Sequence, residues 1–455
     1  MSRSVLFLSY LFPPRGGAGV QRALKFAKYL PQFGWRPLVV ANGGSAADFV
    51  TTQQDPTLLK DLPEGSVVEY TRLSPAEDRT YRRHQSKARQ RLAATDPMGW
   101  WVGPAVRTGL ELVQKHAPAA IFVTMSPFTA AEAGIRLKAR TGLPLVFDLR
   151  DPWALDETRI YPTAWHARRD WRAMGRALGA ADLVIMNTPR SAEAAAKAFP
   201  LAPGGRMIHL TNGFDPEDFA RGAVVPPAAP GVLRIVHTGM FHSELARVWD
   251  DLYARRGWMN KLKSARRPIN LWTRTPRYLA EAMGRAVGSG AIPAGKVELV
   301  LVGELTASDR ELIETGPAGS MTTLLGYRTH EESVGWVKSA DLLFLPNHTP
   351  LDGGPALVVP GKTYEYLGSG RPVLSMGPAG DMSDFVERCR AGFCVKGDDV
   401  AAAADVLARA YAAKVAGSAL IEPDVAAIAA FERRALAQRL AGVLDEVVQR
   451  PAGGT

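Results

Sequence analysis

Residues 360–374 read PGKTYEYLGSGRPVL and set a lysine and a glutamate three residues apart, just behind Pro-Gly. Pro360 and Gly361 open a helix, and Gly368 and Gly370 close it after about two turns. Lys362 and Glu365 then share one face of its first turn. Two chemistries fit that spacing. One is a surface ion pair, which stabilises a helix by about 0.2–0.5 kcal/mol. The other is a ligand site, because a helix N-terminus and an ammonium both favour phosphate and a carboxylate accepts hydrogen bonds from sugar hydroxyls.

Four other stretches carry polar groups behind apolar runs. PPRGGAGVQR (13–22) invites a dinucleotide reading, but Arg22 stands where the third glycine belongs. The next strand ends in Val40-Ala41-Asn42, with no acid to hold a ribose, which argues against a nicotinamide site. Gly16 and Gly17 remain a turn that lets backbone approach a ligand. DLRDPWALD (148–156) offers Arg150, Asp151 and Trp153, which fit either a strand-end turn with a local ion pair or a binding loop. TNGFDPEDF (211–219) is ordinary Asn-Gly turn chemistry. HTGMFH (237–242) ends a strand in Gly239, where phosphate can approach backbone. The spacing of His237 and His242 matches no usual metal-ligand pattern. No GxSxG, HExxH or Walker loop occurs.

The elements that must position these groups are legible. SVLFLSY, a glycine-rich loop, VQRALKFAKYLPQFG and WRPLVVAN form a strand–helix–strand unit. Further apolar strands alternate with helical stretches, the pattern of a parallel doubly wound α/β sheet. The pattern restarts after a Pro-, Gly- and Ala-rich stretch. This gives a first domain over 1–220, a linker over 221–231, a second domain over 232–423 with an extra segment at about 243–272, and a long amphipathic C-terminal helix with a tail over 424–455.

Composition narrows the class. The chain has 455 residues, of which 46% are hydrophobic and 22% charged, enough for two or three globular domains. The net charge of +10 suits phosphorylated ligands, an anionic membrane surface or a nucleic acid alike. No nucleic-acid module is present, so nucleic acid is not an expected partner. Two cysteines, Cys389 and Cys394, exclude a disulfide scaffold and point to the cytoplasm. No apolar run reaches the roughly 18 residues of a membrane span. The apolar start lacks a cleavage site and is read as the first strand.

Taken in order, these loops resemble family-four glycosyltransferases of the GT-B fold, over approximately residues 4–400. The motifs are GGAGVQRALKFAKYL, TNGFDPEDF, LLGYRTHEESVGWVKSADLLFLP and PGKTYEYLGSGRPVL, with WVGPAV and FDLRDPW suggesting a cell-surface polysaccharide or lipid-linked glycan branch. The resemblance implies two Rossmann-like domains facing a cleft, with the last helix packing back on the first. It implies a nucleotide-sugar donor of UDP or GDP type, a glycan or lipid-linked acceptor, retention of configuration, and no metal or cofactor. Carried over residue by residue, Glu365 takes the ribose, Lys362 lies near the diphosphate, and Arg274 clamps it from an Arg-x-Pro segment beyond the extra stretch. Gly239 and Gly361 complete the donor side. Gly16, Gly17, Arg150 and Asp151 form the acceptor side, and catalysis falls to Arg274, Lys362 and Asp151.

Two departures stand out. Leu357 occupies the position of an earlier glutamate that contacts the donor sugar, with Asp352 the nearest upstream carboxylate. Arg150-Asp151 stands where the family often has a histidine. Both departures bear on the donor sugar and the catalytic base. Leu357 favours the alternative of a non-catalytic nucleotide-sugar-binding scaffold, and a nucleotide-sugar epimerase of similar fold is a second alternative. Finally, RTYRRHQSKARQRLAATDPMGWW (79–101) gathers Arg79, Arg82, Arg83, Lys87, Arg89 and Arg91 ahead of Trp100-Trp101. It reads either as a peripheral contact with an anionic inner-membrane surface or as a solvated loop whose tryptophans pack inward.

Overall fold

Strands that are apolar along their whole length must be covered on both faces, which is what helices wound around a parallel sheet provide. The structure, a computed structural model, describes residues 3–43, 54–84, 95–255 and 258–449. It divides into one unit of residues 1–212, 262–266 and 433–455 and a second of 213–261 and 267–432.

The first unit holds seven parallel strands: β1 (Arg3–Ser9), β2 (Trp35–Ala41), β3 (Val67–Tyr70), β4 (Ala120–Met125), β5 (Leu145–Leu149), β6 (Leu183–Met186) and β7 (Arg206–His209). Their order is β3-β2-β1-β4-β5-β6-β7, so the winding reverses between β1 and β4. The second unit repeats the plan with β8 (Leu233–Thr238), β9 (Val297–Val302), β10 (Thr322–Gly326), β11 (Leu342–Pro346), β12 (Val373–Met376) and β13 (Gly392–Val395). Its order is β10-β9-β8-β11-β12-β13, with the reversal between β8 and β11. In such sheets ligands bind outside the carboxyl ends of the strands at the reversal.

The chain ends on the first unit, as the resemblance implied. The helix Arg433–Gln449 buries Leu436, Leu440, Leu444 and Val447 against the core beneath β1 and β4. Its Asp445 Oδ1 accepts hydrogen bonds from Trp35 Nε1 at 3.1 Å and Arg3 Nη1 at 2.8 Å. The stretch expected as one helix from 424 is broken, however. Val425–Ala429 forms a separate short helix of the second unit. Phe431 is the reason: it is buried in that unit's core against Tyr364 and Phe385, and its carbonyl accepts from Phe214 N at 3.1 Å.

The division after Asn212 leaves the helix Pro216–Arg221 and the Pro-rich residues 221–231 within the second unit. Ala223 N donates to Glu331 O at 2.9 Å, and a methyl on Gly335 would strike Ala223 O, so this stretch is packed rather than suspended.

The extra segment is folded and packed. Its helix Ser243–Tyr253 buries Trp249, and Tyr253 Oη accepts from Ile269 N at 2.6 Å. Ile269–Asn270 pairs with Thr349–Pro350 in the second unit, and Ser264–Ala265 pairs with Ile160–Tyr161 in the first. One inserted stretch therefore supplies a strand to each unit.

Trp100 and Trp101 both enter the first unit's core, with Trp101 only 1% exposed and its Nε1 donating to Thr71 Oγ1 at 3.1 Å. They are structural aromatics, packed around Tyr10 and Tyr81. Arg82 is tied to Asp78 at 2.9 Å. Lys87, Arg89 and Arg91 lie outside the described residues. Among the described residues no helix is long and apolar enough to cross a membrane.

Candidate active site

At the reversal of the second sheet, β8 leads into Gly239-Met240-Phe241-His242 and β11 into Asn347-His348. The seven-residue helix Lys362–Gly368 stands above them. It is held by its buried face: Tyr366 Oη accepts from Thr238 N at 2.8 Å, which pins the helix to the end of β8. Gly368 does more than end the helix, because a methyl there would strike the Phe214 ring.

Cations gather at the start of this helix. Lys362 Nζ lies 3.2 Å from His237 Nε2. His237 Nδ1 faces Phe344 O at 2.9 Å. A carbonyl only accepts, so Nδ1 carries the proton and Nε2 presents a lone pair to Lys362. The imidazole is fixed by Phe241, which stacks on it at 4.2 Å with a 14° interplanar angle. Gly239, at φ 105°, belongs to the same fit: any Cβ there would collide with Lys362 Nζ. The ammonium therefore fills the space over the strand-end glycine that the sequence reading left to phosphate.

Arg274 joins this group across the extra segment. It closes a short turn, Trp272–Arg274, ahead of the Arg277–Gly288 helix. Burial, and then the Arg274 guanidinium, pull the Lys362 ammonium down to about 7, while Glu365 pulls it back up. Burial, Arg274, Lys362 and His348 push His242 down to about 3. Burial, then Lys362, hold His237 well below the usual histidine range. His237 and His242 are thus neutral near pH 7, and Glu365 is the carboxylate that acts on Lys362. Buried polar atoms with no hydrogen-bond partner among the described residues adjoin it: His242 Nδ1, Ser243 Oγ and Thr363 Oγ1. Such atoms are normally satisfied, so a bound group with acceptor oxygens would complete them. A helix of seven residues has little macrodipole, so full charges rather than the dipole dominate here.

Glu365 sits one turn on, half-buried, with Oε1 4.0 Å from His330 Nδ1. The His330 Nε2 faces Asp218 Oδ2 at 3.2 Å. Gly361 is exposed at the start of the helix. Leu357 is buried, and Asp352 is on an exposed turn paired with Arg267 at 3.3 Å. Asp352 Oδ1 also accepts from Gly354 N at 3.0 Å, so this carboxylate is engaged in holding its own loop.

The reversal of the first sheet looks different. Arg22, the residue that broke the dinucleotide pattern, turns inward and clamps Asp148, with Nη2 2.6 Å from Oδ1 and Nε 2.9 Å from Oδ2. It also donates to the carbonyls of Leu210 at 2.9 Å and Thr211 at 2.6 Å. Arg150 is buried as well. Its guanidinium donates to Met125 O at 2.8 Å, to Ser126 O at 2.7 Å and to Gly19 O. The expected acceptor-side arginine is therefore a strut that ties together the loops after β1, β4 and β5. Asp151 beside it is exposed, as is Gly17, whose φ of 92° suits only glycine. Gly16 is half-buried.

Sequence reasoning did not foresee the roles of His237, His242, His348 or His330. The first two were weighed only as metal ligands, and what links them to Lys362 is contact across more than a hundred residues. Cys389 and Cys394 are free thiols, which burial pushes up to about 11 and about 12.

Two doubly wound units of this kind define the GT-B class, and solved structures agree. The chain aligns over 98% of its length with all of Anabaena Alr3699/HepE, solved with UDP and glucose, at 17% identity and a TM-score of 0.55. It aligns over 98% with 99% of the sucrose-phosphate synthase of Thermosynechococcus elongatus, at 15% identity and a TM-score of 0.61. The lipopolysaccharide outer core galactosyltransferase WaaB aligns at 10% identity, over 97% of this chain and 99% of that one, with a TM-score of 0.55. A comparison with curated protein sequences finds no match. The profile of Glycosyltransferase Family 4 matches residues 16–218, and that of Glycosyl transferases group 1 matches residues 270–413. The chain belongs to the family-four-like glycosyltransferases.

Proposed function

We propose that the protein transfers a glycosyl group from a nucleoside-diphosphate sugar to an acceptor hydroxyl, with the second unit holding the donor. The observation that carries this reading is the cluster of Lys362, Arg274 and neutral histidines at the reversal of the second sheet. In this reading the diphosphate meets Lys362 and Arg274, as ammonium and guanidinium suit phosphate oxygens. Glu365 takes the ribose hydroxyls, and Gly361 lets the diphosphate approach the start of the helix. HepE has been solved with UDP-glucose, which supports a nucleotide-sugar donor.

The chemistry asked of the protein is positioning and charge stabilisation. The C1–O bond of the donor breaks, and the leaving diphosphate takes the electron pair into the field of Arg274 and Lys362. The acceptor oxygen bonds to C1, and its proton passes to the departing phosphate oxygen. These fixed cations do the work a divalent ion would otherwise do, so we assign a metal-independent reaction. We assign retention of configuration on the family resemblance, and Asp151 to the acceptor side. The acceptor class we favour is a cell-surface or lipid-linked glycan, made on the cytoplasmic side.

A thermal-shift screen of nucleoside diphosphates and their sugars tests donor binding. A ligand at 100 times its dissociation constant stabilises the protein by about 2.7 kcal/mol. Release of nucleoside diphosphate that depends on a glycan acceptor, and that survives chelation of divalent ions, tests transfer. The buried Leu357, in place of the family's donor-sugar glutamate, favours a second reading, a nucleotide-sugar-binding protein that does not catalyse. Binding without turnover on any donor–acceptor pair would decide for it.

A further inference from the structure

The helix Ala164–Ala180 of the first unit, AWHARRDWRAMGRALGA, has two opposed faces. His166, Asp170, Met174, Ala177 and Leu178 are buried. Trp165, Arg168, Arg169, Arg172 and Arg176 recur at intervals that bring them onto one stripe, and all are exposed. Trp171 flanks the stripe with one face against Phe199, the ring centroids 4.4 Å apart. The two tryptophans keep 51% and 37% of their surface open. Guanidinium groups lie over both rings, Arg169 at 5.1 Å from Trp165 and Arg266 at 5.3 Å from Trp171. Arg266 comes from the inserted stretch 262–266, whose Leu262 is 54% exposed.

The helix has a single acid, Asp170, and it points inward. It accepts from Trp153 Nε1 at 2.9 Å and Tyr161 Oη at 2.7 Å, and pairs with Arg159 at 3.0 Å. It therefore does nothing to offset the arginines on the open side.

We infer that this face docks on an anionic lipid bilayer. The chemistry is complementary on both counts. Tryptophan rings settle at the headgroup level, and guanidinium groups pair with lipid phosphates. Each basic residue close to an anionic leaflet strengthens binding about fivefold. A protein partner would have to present acids in register with an arginine stripe wound along a helix, whereas a fluid anionic surface matches any such arrangement. The inserted residues 262–266 thereby acquire a use, extending the face with Arg266 and Leu262. Of the residues that the sequence put forward for a membrane, Trp100 and Trp101 are buried and Arg82 is paired with Asp78, while Lys87, Arg89 and Arg91 lie outside the described residues.

The test is co-sedimentation of the full chain with phosphatidylcholine vesicles, with and without phosphatidylglycerol, at low and high salt. The wild type should pellet only with the anionic vesicles, and less as salt rises. Arg168→Ser/Arg169→Ser/Arg172→Ser should weaken partitioning about 100-fold. Trp165→Ala/Trp171→Ala should weaken it without changing its salt dependence, and Arg79→Ser/Arg82→Ser should leave it as in wild type. All variants should keep the thermal shift with nucleoside diphosphate, which separates this inference from the donor reading and reports folding. A wild type that stays in the supernatant at low salt overturns the inference. So does a stripe variant that pellets as well as wild type, or loss of binding through Arg79 and Arg82 instead. Capture of an acidic protein with no vesicle binding also overturns it.

Discussion

At the carboxyl end of the first sheet Arg22 meets a carboxylate, Asp148, in a bidentate contact that no solvent reaches. At the corresponding place in the second sheet Lys362 meets an imidazole that can only share a lone pair. The strand orders match, and both units bring a cation to the reversal. The first unit neutralises it internally and spends the remaining donors of Arg22 and Arg150 on loop carbonyls. The second sets Lys362 against a neutral imidazole, with Glu365 one turn along the helix. The difference teaches that this fold does not by itself make an anion site. In the proposed donor site the cation at the strand end faces a neutral imidazole in place of a buried carboxylate.

The comparison breaks first on stability. Asp148→Ala should cost about 3–5 kcal/mol, since it strands a buried guanidinium. Lys362→Met should do the opposite at neutral pH. The Lys362 value in the folded protein lies below that of a free lysine, so burying it is destabilising, fully so below about 7. That effect fades as pH climbs toward the ordinary lysine range, so the gain in melting temperature should shrink as well. Thermal melts of the two variants across pH check both signs.

The second prediction concerns ligand. Losing a charge-assisted contact is worth about 1.5–3 kcal/mol, so Lys362→Met, Arg274→Ala and Glu365→Ala should each weaken nucleoside-diphosphate binding roughly 10- to 150-fold. Arg274→Ala should affect the diphosphate far more than the bare nucleoside, whereas Glu365→Ala should affect both. Titration calorimetry with nucleoside and nucleoside diphosphate separates them.

A third test sharpens the electrostatic claim. A bound diphosphate favours the charged form of Lys362, so binding above about pH 7 draws a proton from solvent. Affinity should fall as pH rises from about 7, by up to about tenfold per unit, and Lys362 should contribute no slope below that. Repeating the calorimetry in buffers of different ionisation enthalpy should reveal the proton uptake directly, and Lys362→Met should abolish it.

The smallest effect is expected at His330. It stands 4.0 Å from a partly exposed Glu365, a geometry worth about 0.2–1 kcal/mol. His330→Ala should weaken nucleotide binding by no more than about fivefold, and a loss as large as that of Glu365→Ala would show that the two act as one unit.

The parts of this arrangement legible in the sequence are those written in local grammar. Pro-Gly and Gly-Ser-Gly bracket the Lys362–Gly368 helix, and apolar runs ending in Gly239 or Leu149 mark strand ends. Arg274 was reachable only through the family resemblance, because the extra segment hides its register. The partnership of Lys362 with His237 joins residues 125 apart and depends on which imidazole nitrogen faces Phe344 O, which no spacing encodes. Arg150 looked like a ligand group because burial is invisible in a run of polar residues. For Trp100-Trp101 the sequence left both readings open for the complementary reason: a basic flank says nothing about which way an aromatic packs, and the inward packing is the one observed. The break at Phe431 is likewise a matter of which core a side chain enters, not of helical periodicity.

The most direct test of the central claim is calorimetric titration of wild type and Lys362→Met with UDP and GDP at pH 7.5, each protein first checked for an intact melt. The account predicts that wild type binds one of the two with net proton uptake. It predicts that the variant, folded and at least as stable, binds at least about tenfold more weakly with no uptake. Equal affinity in the two proteins would contradict it and move the anion site away from the reversal of the second sheet.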